Sequence, residues 1–204
     1  MSNHKKIVLA TQNQGKIKEF AAMLKKDSLD VDVISLLDIP DAPEIIEDGS
    51  TFRENSYIKA KAVCSKTNLI TLADDSGLEV DYLDGAPGIH SARFAGEPRD
   101  DKKNNEKLLA LLKDIPYEKR TARFRCAICI MTPAGNYFET HGTCEGIIVD
   151  EPKGEYGFGF DPIFYLPQYK KTLAQLDPDI KNTISHRSEA FRKAVKILAD
   201  ILNK

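Results

Sequence analysis

The sequence predicts an α/β protein on a mixed sheet, and three observations carry that expectation. Apolar runs of strand length alternate with segments whose apolar residues recur at helical spacing. Two long alternating strands flank a Pro133-Ala-Gly-Asn136 turn, and such a hairpin makes the sheet mixed rather than purely parallel. The composition, 42% hydrophobic and 29% charged over 204 residues, is that of a globular chain able to bury a core. No internal repeat and no low-complexity linker divides it, so residues 1–204 are expected to form a single domain.

The elements follow in order. Lys6 to Thr11 reads as a buried strand, Gln12-Asn-Gln-Gly15 as a loop, and Lys16 to Lys26 as a helix with Ile17, Phe20, Ala21 and Leu24 on one side. Residues 30–37 suggest a second strand. An acidic loop runs from Asp38 to Asp48 and carries Pro40 and Pro43. Thr51-Phe-Arg-Glu54 is a capping-box pattern. It opens a helix to about Lys66, with Ile58, Ala62 and Val63 toward the core. Asn68 to Ala73 is the next strand, expected to end in the turn-forming Asp74-Asp-Ser-Gly77. A Gly/Pro-rich segment, Asp84 to Gly88, precedes a leucine-striped helix over 101–113. Then come the hairpin strands, Thr121 to Thr132 and Tyr137 to about Val149. A glycine-rich loop, Gly154 to Asp161, follows. An amphipathic helix from about Ser188 closes the chain, with Phe191, Val195, Leu198 and Leu202 on its apolar stripe.

Charge and patterning exclude several classes. The net charge is −2, without the basic stripe of a nucleic-acid binder. No stretch approaches the ~18 apolar residues of a membrane span. The apolar run after Met1-Ser-Asn-His-Lys-Lys6 is too short for a secretion signal, so a cytoplasmic location is expected. Cys126 and Cys129 have CxxC spacing, but they fall in a strand, where positions three apart face opposite ways. They read as buried, reduced thiols.

Four short segments could carry chemistry. Thr11-Gln-Asn-Gln-Gly-Lys16 lies between a strand and a helix N-terminus, a place suited to anions. It lacks the spacing of a P-loop, and a plain helix-start loop is the alternative. Asp74-Asp75 offers hard oxygen ligands suited to Mg²⁺, or a strand-to-turn cap. Gly157-Phe-Gly-Phe-Asp-Pro162 could stack a flat base, or simply pack. Ser185-His-Arg187 could read base edges or phosphates, or open a helix. Together they compose a nucleotide site.

These segments, with Gly49-Ser-Thr-Phe-Arg-Glu-Asn55, Gly85-Ala-Pro-Gly-Ile-His-Ser-Ala-Arg93 and Arg120-Thr-Ala-Arg-Phe-Arg-Cys126, resemble the inosine triphosphate pyrophosphatase family over roughly residues 5–202. The resemblance implies a long mixed twisted sheet flanked by helices, in two lobes with a substrate cleft between them, and a homodimer. It implies Mg²⁺-dependent hydrolysis of ITP, dITP and XTP to the monophosphate and pyrophosphate. By the same resemblance Thr11, Asn13, Gly15 and Lys16 look like the triphosphate loop. Asp75 looks like the catalytic proton acceptor and a metal ligand, with Ser76 beside it a substrate contact. Phe158, Gly159, Phe160 and Asp161 look like the base loop, and Lys181, His186 and Arg187 like later substrate contacts.

Two positions depart from the family pattern. Gln12 stands where the phosphate loop often has glycine. Ile46 replaces one of two glutamates, leaving Glu47 as the expected second metal ligand and Glu44 as the fallback. Two other functions fit parts of the pattern: a pyrophosphatase for modified pyrimidine nucleotides, and a non-catalytic nucleotide sensor. The sensor would not need the acidic pair that this chain keeps.

Overall fold

The computed structural model describes residues 5–26 and 31–203. Met1 to His4 and residue 30, the expected start of the second strand, lie outside the described residues. The elements are β1 (Lys5–Leu9), α1 (Gln14–Lys26), β2 (Val31–Ser35), α2 (Phe52–Thr67), β3 (Ile70–Val80), α3 (Asp101–Leu112), β4 (Thr121–Met131), β5 (Tyr137–Ile148), β6 (Phe164–Leu166), β7 (Lys171–Thr172), α4 (Pro178–Ile184) and α5 (His186–Leu202). The strands form one seven-stranded sheet in the order β2-β1-β3-β4-β5-β6-β7. β1 runs parallel to β2 and β3, whereas β6 is antiparallel to β5 and β7. The short link from β4 to β5, closed by Thr132 N–H donating to the Asn136 carbonyl at 2.9 Å, permits only a hairpin. The α/β class and the mixed sheet are as the sequence predicts.

The chain divides into two compact units. One comprises residues 1–75, 126–142 and 187–204; the other comprises 76–125 and 143–186. In the first unit the strand alternation decides two cores. Ile7, Leu9 and Leu72 join Phe20 of α1 and Phe191, Ala194 and Leu198 of α5. Val8, Ala10 and Ala73 join Ala60, Val63 and Cys64 of α2. Cys126 belongs to the first cluster and Cys129 to the second, so the CxxC pair faces opposite ways, as a strand period requires. Both thiols are free and buried, and burial pushes Cys129 up to about 12. In the second unit Leu78, Val80, Leu108, Leu112, Phe124, Ile148 and Phe164 form one core. There the strands also carry ion pairs, Arg123 with Asp81 and Glu145, and Arg125 with Glu79.

Four expectations are corrected. β3 does not end at Ala73 in a turn; it runs through Asp74-Asp-Ser-Gly77 to Val80, because Leu78 and Val80 supply buried positions beyond the polar residues. The buried stripe of α2 is Asn55, Ser56, Lys59, Ala60, Val63 and Cys64, while Ile58 and Ala62 are only half-buried. Thr51 caps α2, accepting from Glu54 N–H at 3.1 Å. The Glu54 carboxylate, however, accepts from Ser50 N–H at 2.7 Å, so it reaches one residue further back than a capping box would. Finally, α5 starts at His186, two residues early. The short α4, β6 and β7 have no counterpart in the sequence reading.

Candidate active site

The site residues of the first unit arise from the end of β1. The last β1–β3 pair is Leu9 with Leu72, so β3, flanked on its other side by β4, runs on beyond the end of β1. Asn13 caps α1: its amide oxygen accepts from Gly15 N–H at 2.9 Å and Lys16 N–H at 3.2 Å. Thr11 Oγ1 accepts from Asn13 N–H at 3.1 Å. Two of the helix-start donors expected to face an anion therefore hold the cap, and the positive charge at this point is the Lys16 ammonium.

Asp74 and Asp75 do not form one carboxylate pair. Neighbours on a strand face opposite sides, and each carboxylate has its own partners. Asp74, 2% exposed, accepts from Lys16 Nζ at 2.9 Å and Arg187 Nε at 3.3 Å. Arg187 also pairs with Glu19 of α1. Burial raises the Asp74 pKa, but Lys16, Arg187 and Lys59 outweigh it and hold the carboxyl below its ordinary range. Burial would lower Arg187; Glu19 and Asp74 drive it upward instead.

Asp75 faces α2. Its Oδ1 accepts from Lys59 Nζ at 3.0 Å and its Oδ2 from Asn55 Nδ2 at 3.2 Å. Lys59 Nζ also donates to Glu47 Oε2 at 2.7 Å. Asn55 Oδ1 accepts from Gly49 N–H at 2.9 Å, so one side chain ties the acidic loop to Asp75. A Cβ on Gly49 would lie 2.7 Å from Asn55 Oδ1, which explains the glycine. Burial, helped by Glu47, pushes Asp75 above its ordinary range against the pull of Lys59 and Lys16. Lys59 moves upward because Asp75, Glu47 and Asp74 together exceed its own desolvation. Glu47 and Asp75 thus converge on one cation. Glu44 is exposed and joins none of these contacts among the described residues. No group of three or more His, Cys, Asp or Glu side chains that could hold a metal occurs among them either.

The second unit carries the glycine loop. Phe158 N–H donates to Asp161 Oδ2 at 2.9 Å, and Lys181 of α4 pairs with the same oxygen. Lys181 Nζ stands 5.0 Å from the Phe158 ring centroid. Gly157 adopts φ +77°, and a Cβ there would meet Asp161 Oδ2 at 2.0 Å. The two phenylalanines divide: Phe160 is 3% exposed in the core, whereas Phe158 is half-buried. His186, also buried, stacks on Phe124 with centroids 4.7 Å apart and planes 10° apart. Ser76 is half-buried on β3.

The first unit therefore gathers Lys16, Asp74, Asp75, Glu47 and Arg187; the second brings Phe158, Asp161 and Lys181 together and stacks His186 on Phe124. Sequence reasoning missed Asn55, Lys59 and Glu19. The signal for Asn55 and Lys59 was present: both are polar, four apart, on the stripe that continues into Val63. Glu19 and Arg187 are 168 residues apart and left no such signal.

A family model described as the Ham1 family matches residues 7–197. The chain is 54% identical over 193 residues to a dITP/XTP pyrophosphatase of Desulforamulus reducens, covering 95% of each chain. It is 51% identical over 189 residues to one of Geobacillus kaustophilus, covering 93% of this chain and 92% of that one. Among solved structures, the Ham1 protein of Staphylococcus aureus superposes with a TM-score of 0.84 at 42% identity, covering 96% of this chain and 99% of that one. A HAM1 protein of Coxiella burnetii gives 0.86 at 40% identity, with coverage of 96% and 99%.

Proposed function

The chain belongs to the Ham1 family, and from that premise and the two clusters we propose that it hydrolyses non-standard purine nucleoside triphosphates. ITP, dITP and XTP are its substrates, and the products are the monophosphate and pyrophosphate. The observation that carries this reading is Asp75, a buried carboxylate gripped by Asn55 and Lys59 beside a second carboxylate, Glu47.

Roles follow from what each side chain presents. Lys16 and Lys59 supply the positive charge for a triphosphate, with Thr11, Asn13 and Gly15 shaping the loop around it. Glu47 and Asp75 fit a Mg²⁺: they are hard oxygen donors already sharing one cation, and Mg²⁺ is commonly held by one or two carboxylates plus substrate phosphates. The contact of Lys59 with Glu47 favours Glu47 over Glu44 as the second ligand. When bound, the ion neutralises phosphate charge as a Lewis acid. Asp75 accepts the proton of the attacking water, a role its upward-shifted pKa suits. Water adds across the α–β anhydride, and pyrophosphate leaves. Asp74, braced by Arg187, holds Lys16 in place.

In the second unit the accessible Phe158 ring stacks the base, while Phe160 anchors the loop from the core. Lys181 and His186 donate to a 6-keto edge, Asp161 accepts from N1–H, and Ser76 and Gly159 line the substrate. Adenine reverses that pattern, and leaving buried polar groups unpaired costs roughly 10⁴–10⁵ in selectivity. No helix among the described residues is long and apolar enough to cross a membrane. The four buried cysteines, none in a disulfide among the described residues, suit a reducing cytoplasm. The full chain acts as one pyrophosphatase domain within a homodimer, which light scattering tests.

The decisive experiment is pyrophosphate release from equal concentrations of ITP, XTP, GTP, ATP and dTTP, with Mg²⁺ and with EDTA. Release from ITP and XTP only when Mg²⁺ is present, with little from ATP, is expected. Even activity on all five would refute the 6-keto pocket; dTTP alone would make it a pyrimidine enzyme; none would leave a nucleotide sensor.

A further inference from the structure

One residue of the glycine loop, Gly159, is gripped by α3 through both of its backbone polar groups. Gly159 N–H donates to Asp101 Oδ2 at 2.8 Å, and the Gly159 carbonyl accepts from Asn105 Nδ2 at 2.9 Å. Asp101 and Asn105 are four apart on α3, so they lie one above the other on a single face. Asn105 Nδ2 also donates to the Asp101 carbonyl at 2.9 Å, and Arg99 Nε donates to Asp101 Oδ1 at 3.0 Å. The clamp is thereby tied into the first turn of the helix and does not rest on one flexible contact.

The orientation of Asn105 is settled by chemistry. Its Nδ2 faces two carbonyl oxygens, so the other end must be the amide oxygen. That oxygen is buried and without a hydrogen-bond partner among the described residues. A buried unpaired acceptor is unfavourable, and an apolar residue would avoid it. The position keeps an amide nonetheless, and what the amide gains is the Gly159 carbonyl. Gly159 itself adopts φ +62° with open space where a Cβ would stand. Its conformation, rather than crowding, requires the glycine, and a residue with no side chain can be fixed only through its backbone.

We propose that Asp101 and Asn105 are positioning residues for base discrimination: by clamping Gly159 they set Phe158 and Asp161 at the spacing that selects a 6-keto purine. This rests on the reading of 157–161 as the base loop. Phe158 precedes the clamped glycine, and its N–H is held by Asp161. Phe160 follows it and is fixed in the core beside Phe94. Releasing Gly159 leaves Phe158 and Asp161 attached to each other but free to shift together against the anchored Phe160. Selection between bases fails under misplacements well below the size of an atom.

The test is steady-state pyrophosphate release from ITP and ATP by Asp101→Ala, Asn105→Ala, Asp101→Asn and Phe158→Ala, with inorganic triphosphate as a base-free competitor. Asp101→Ala and Asn105→Ala are expected to raise KM for ITP roughly tenfold, the scale of one lost hydrogen bond, with kcat within threefold. The ratio of kcat/KM for ITP over ATP should fall by a similar factor, and inhibition by inorganic triphosphate should not change. Asp101→Asn keeps an acceptor for Gly159 N–H and should restore the ITP/ATP ratio. Should Asn105→Ala fail to fold, the Asp101 pair carries the test, because that side chain is 34% exposed. An unchanged ratio in the Asp101 and Asn105 variants, with Phe158→Ala losing it, would overturn the clamp and leave the base loop standing. A parallel loss of triphosphate inhibition would overturn it too, as general damage. No effect of Phe158→Ala on KM or on the ratio would overturn the base loop itself, and the clamp with it.

Discussion

The two units solve different problems with different materials. In the first, the functional groups are charges carried on regular elements: Lys16 and Arg187 in the first turns of α1 and α5, Lys59 on α2, Asp74 and Asp75 on β3. In the second they sit on a loop and the short α4, held by a core-packed phenylalanine, a clamped glycine and a stacked imidazole. Charge on rigid elements suits phosphates, which every nucleotide shares and which need strength more than shape. A loop shaped by glycines and aromatic rings suits a base, where discrimination depends on contour and a few polar edges. The contrast predicts that substitutions in the first unit act on stability and turnover, and those in the second on KM and selectivity.

The largest effect expected is from Asp74→Asn. It removes the negative charge shared by Lys16 and Arg187 in a fully buried setting, where breaking an ion pair costs about 3–5 kcal/mol. Because its neighbours hold the folded pKa below the ordinary value, the carboxylate contributes stability above its unfolded pKa of about 3.9. That contribution is lost as the pH falls toward the folded value. Urea unfolding of wild type and variant should therefore differ most near neutrality and converge in acid. A difference independent of pH between 7 and 3 would show that Asp74 acts through packing alone.

Next in size is Gly154→Ala, which probes the second unit through its backbone. Gly154 adopts φ +91°, and a Cβ would lie 2.2 Å from the carbonyl carbon and oxygen of Ala174. That carbonyl accepts from both Glu155 and Tyr156 N–H at 3.0 Å, so it cannot retreat without loosening the loop. Left-handed strain and overpacking together should cost about 2–4 kcal/mol. A thermal midpoint lowered by several degrees, with turnover retained below it, would fit a loop separable from the chemistry. An equal fall in kcat at low temperature would blur the division between the units.

The same contrast decides what the sequence could reveal. β4, β5 and α5 were legible because their apolar stripes are long and regular. Asp74-Asp-Ser-Gly77 was misread as a turn because those residue types favour turns, although Leu78 and Val80 continue a strand period. Once β3 is extended, the opposite facing of Asp74 and Asp75 follows from alternation. Lys59 and Asn55 were hidden because the apolar residues Ile58 and Ala62 drew the stripe toward themselves. Polar residues on a buried face are what a charged site looks like from the sequence, and they blur its periodicity. Phe124 beneath His186, and Asn105 beneath Gly159, depend on tertiary contacts that no local pattern encodes.

The smallest effect expected is the most pointed test of rigidity in the first unit. Thr51 caps the helix that carries Asn55 and Lys59, and Thr51→Ala should cost about 1 kcal/mol, a shift of roughly 2–4 °C for a chain of this size. If the site were held by the helix alone, fraying of the first turn would misplace Asn55 and slow turnover. Asn55 is held independently by Gly49 and Asp75, and Lys59 by Glu47 and Asp75. Those bonds should keep the geometry when the cap is gone, leaving kcat and KM for ITP within about twofold of wild type, as expected of a change outside the network. A tenfold fall in kcat with the same small loss of stability would mean that the cap positions Asp75, and that this region is as dependent on local backbone as the glycine loop.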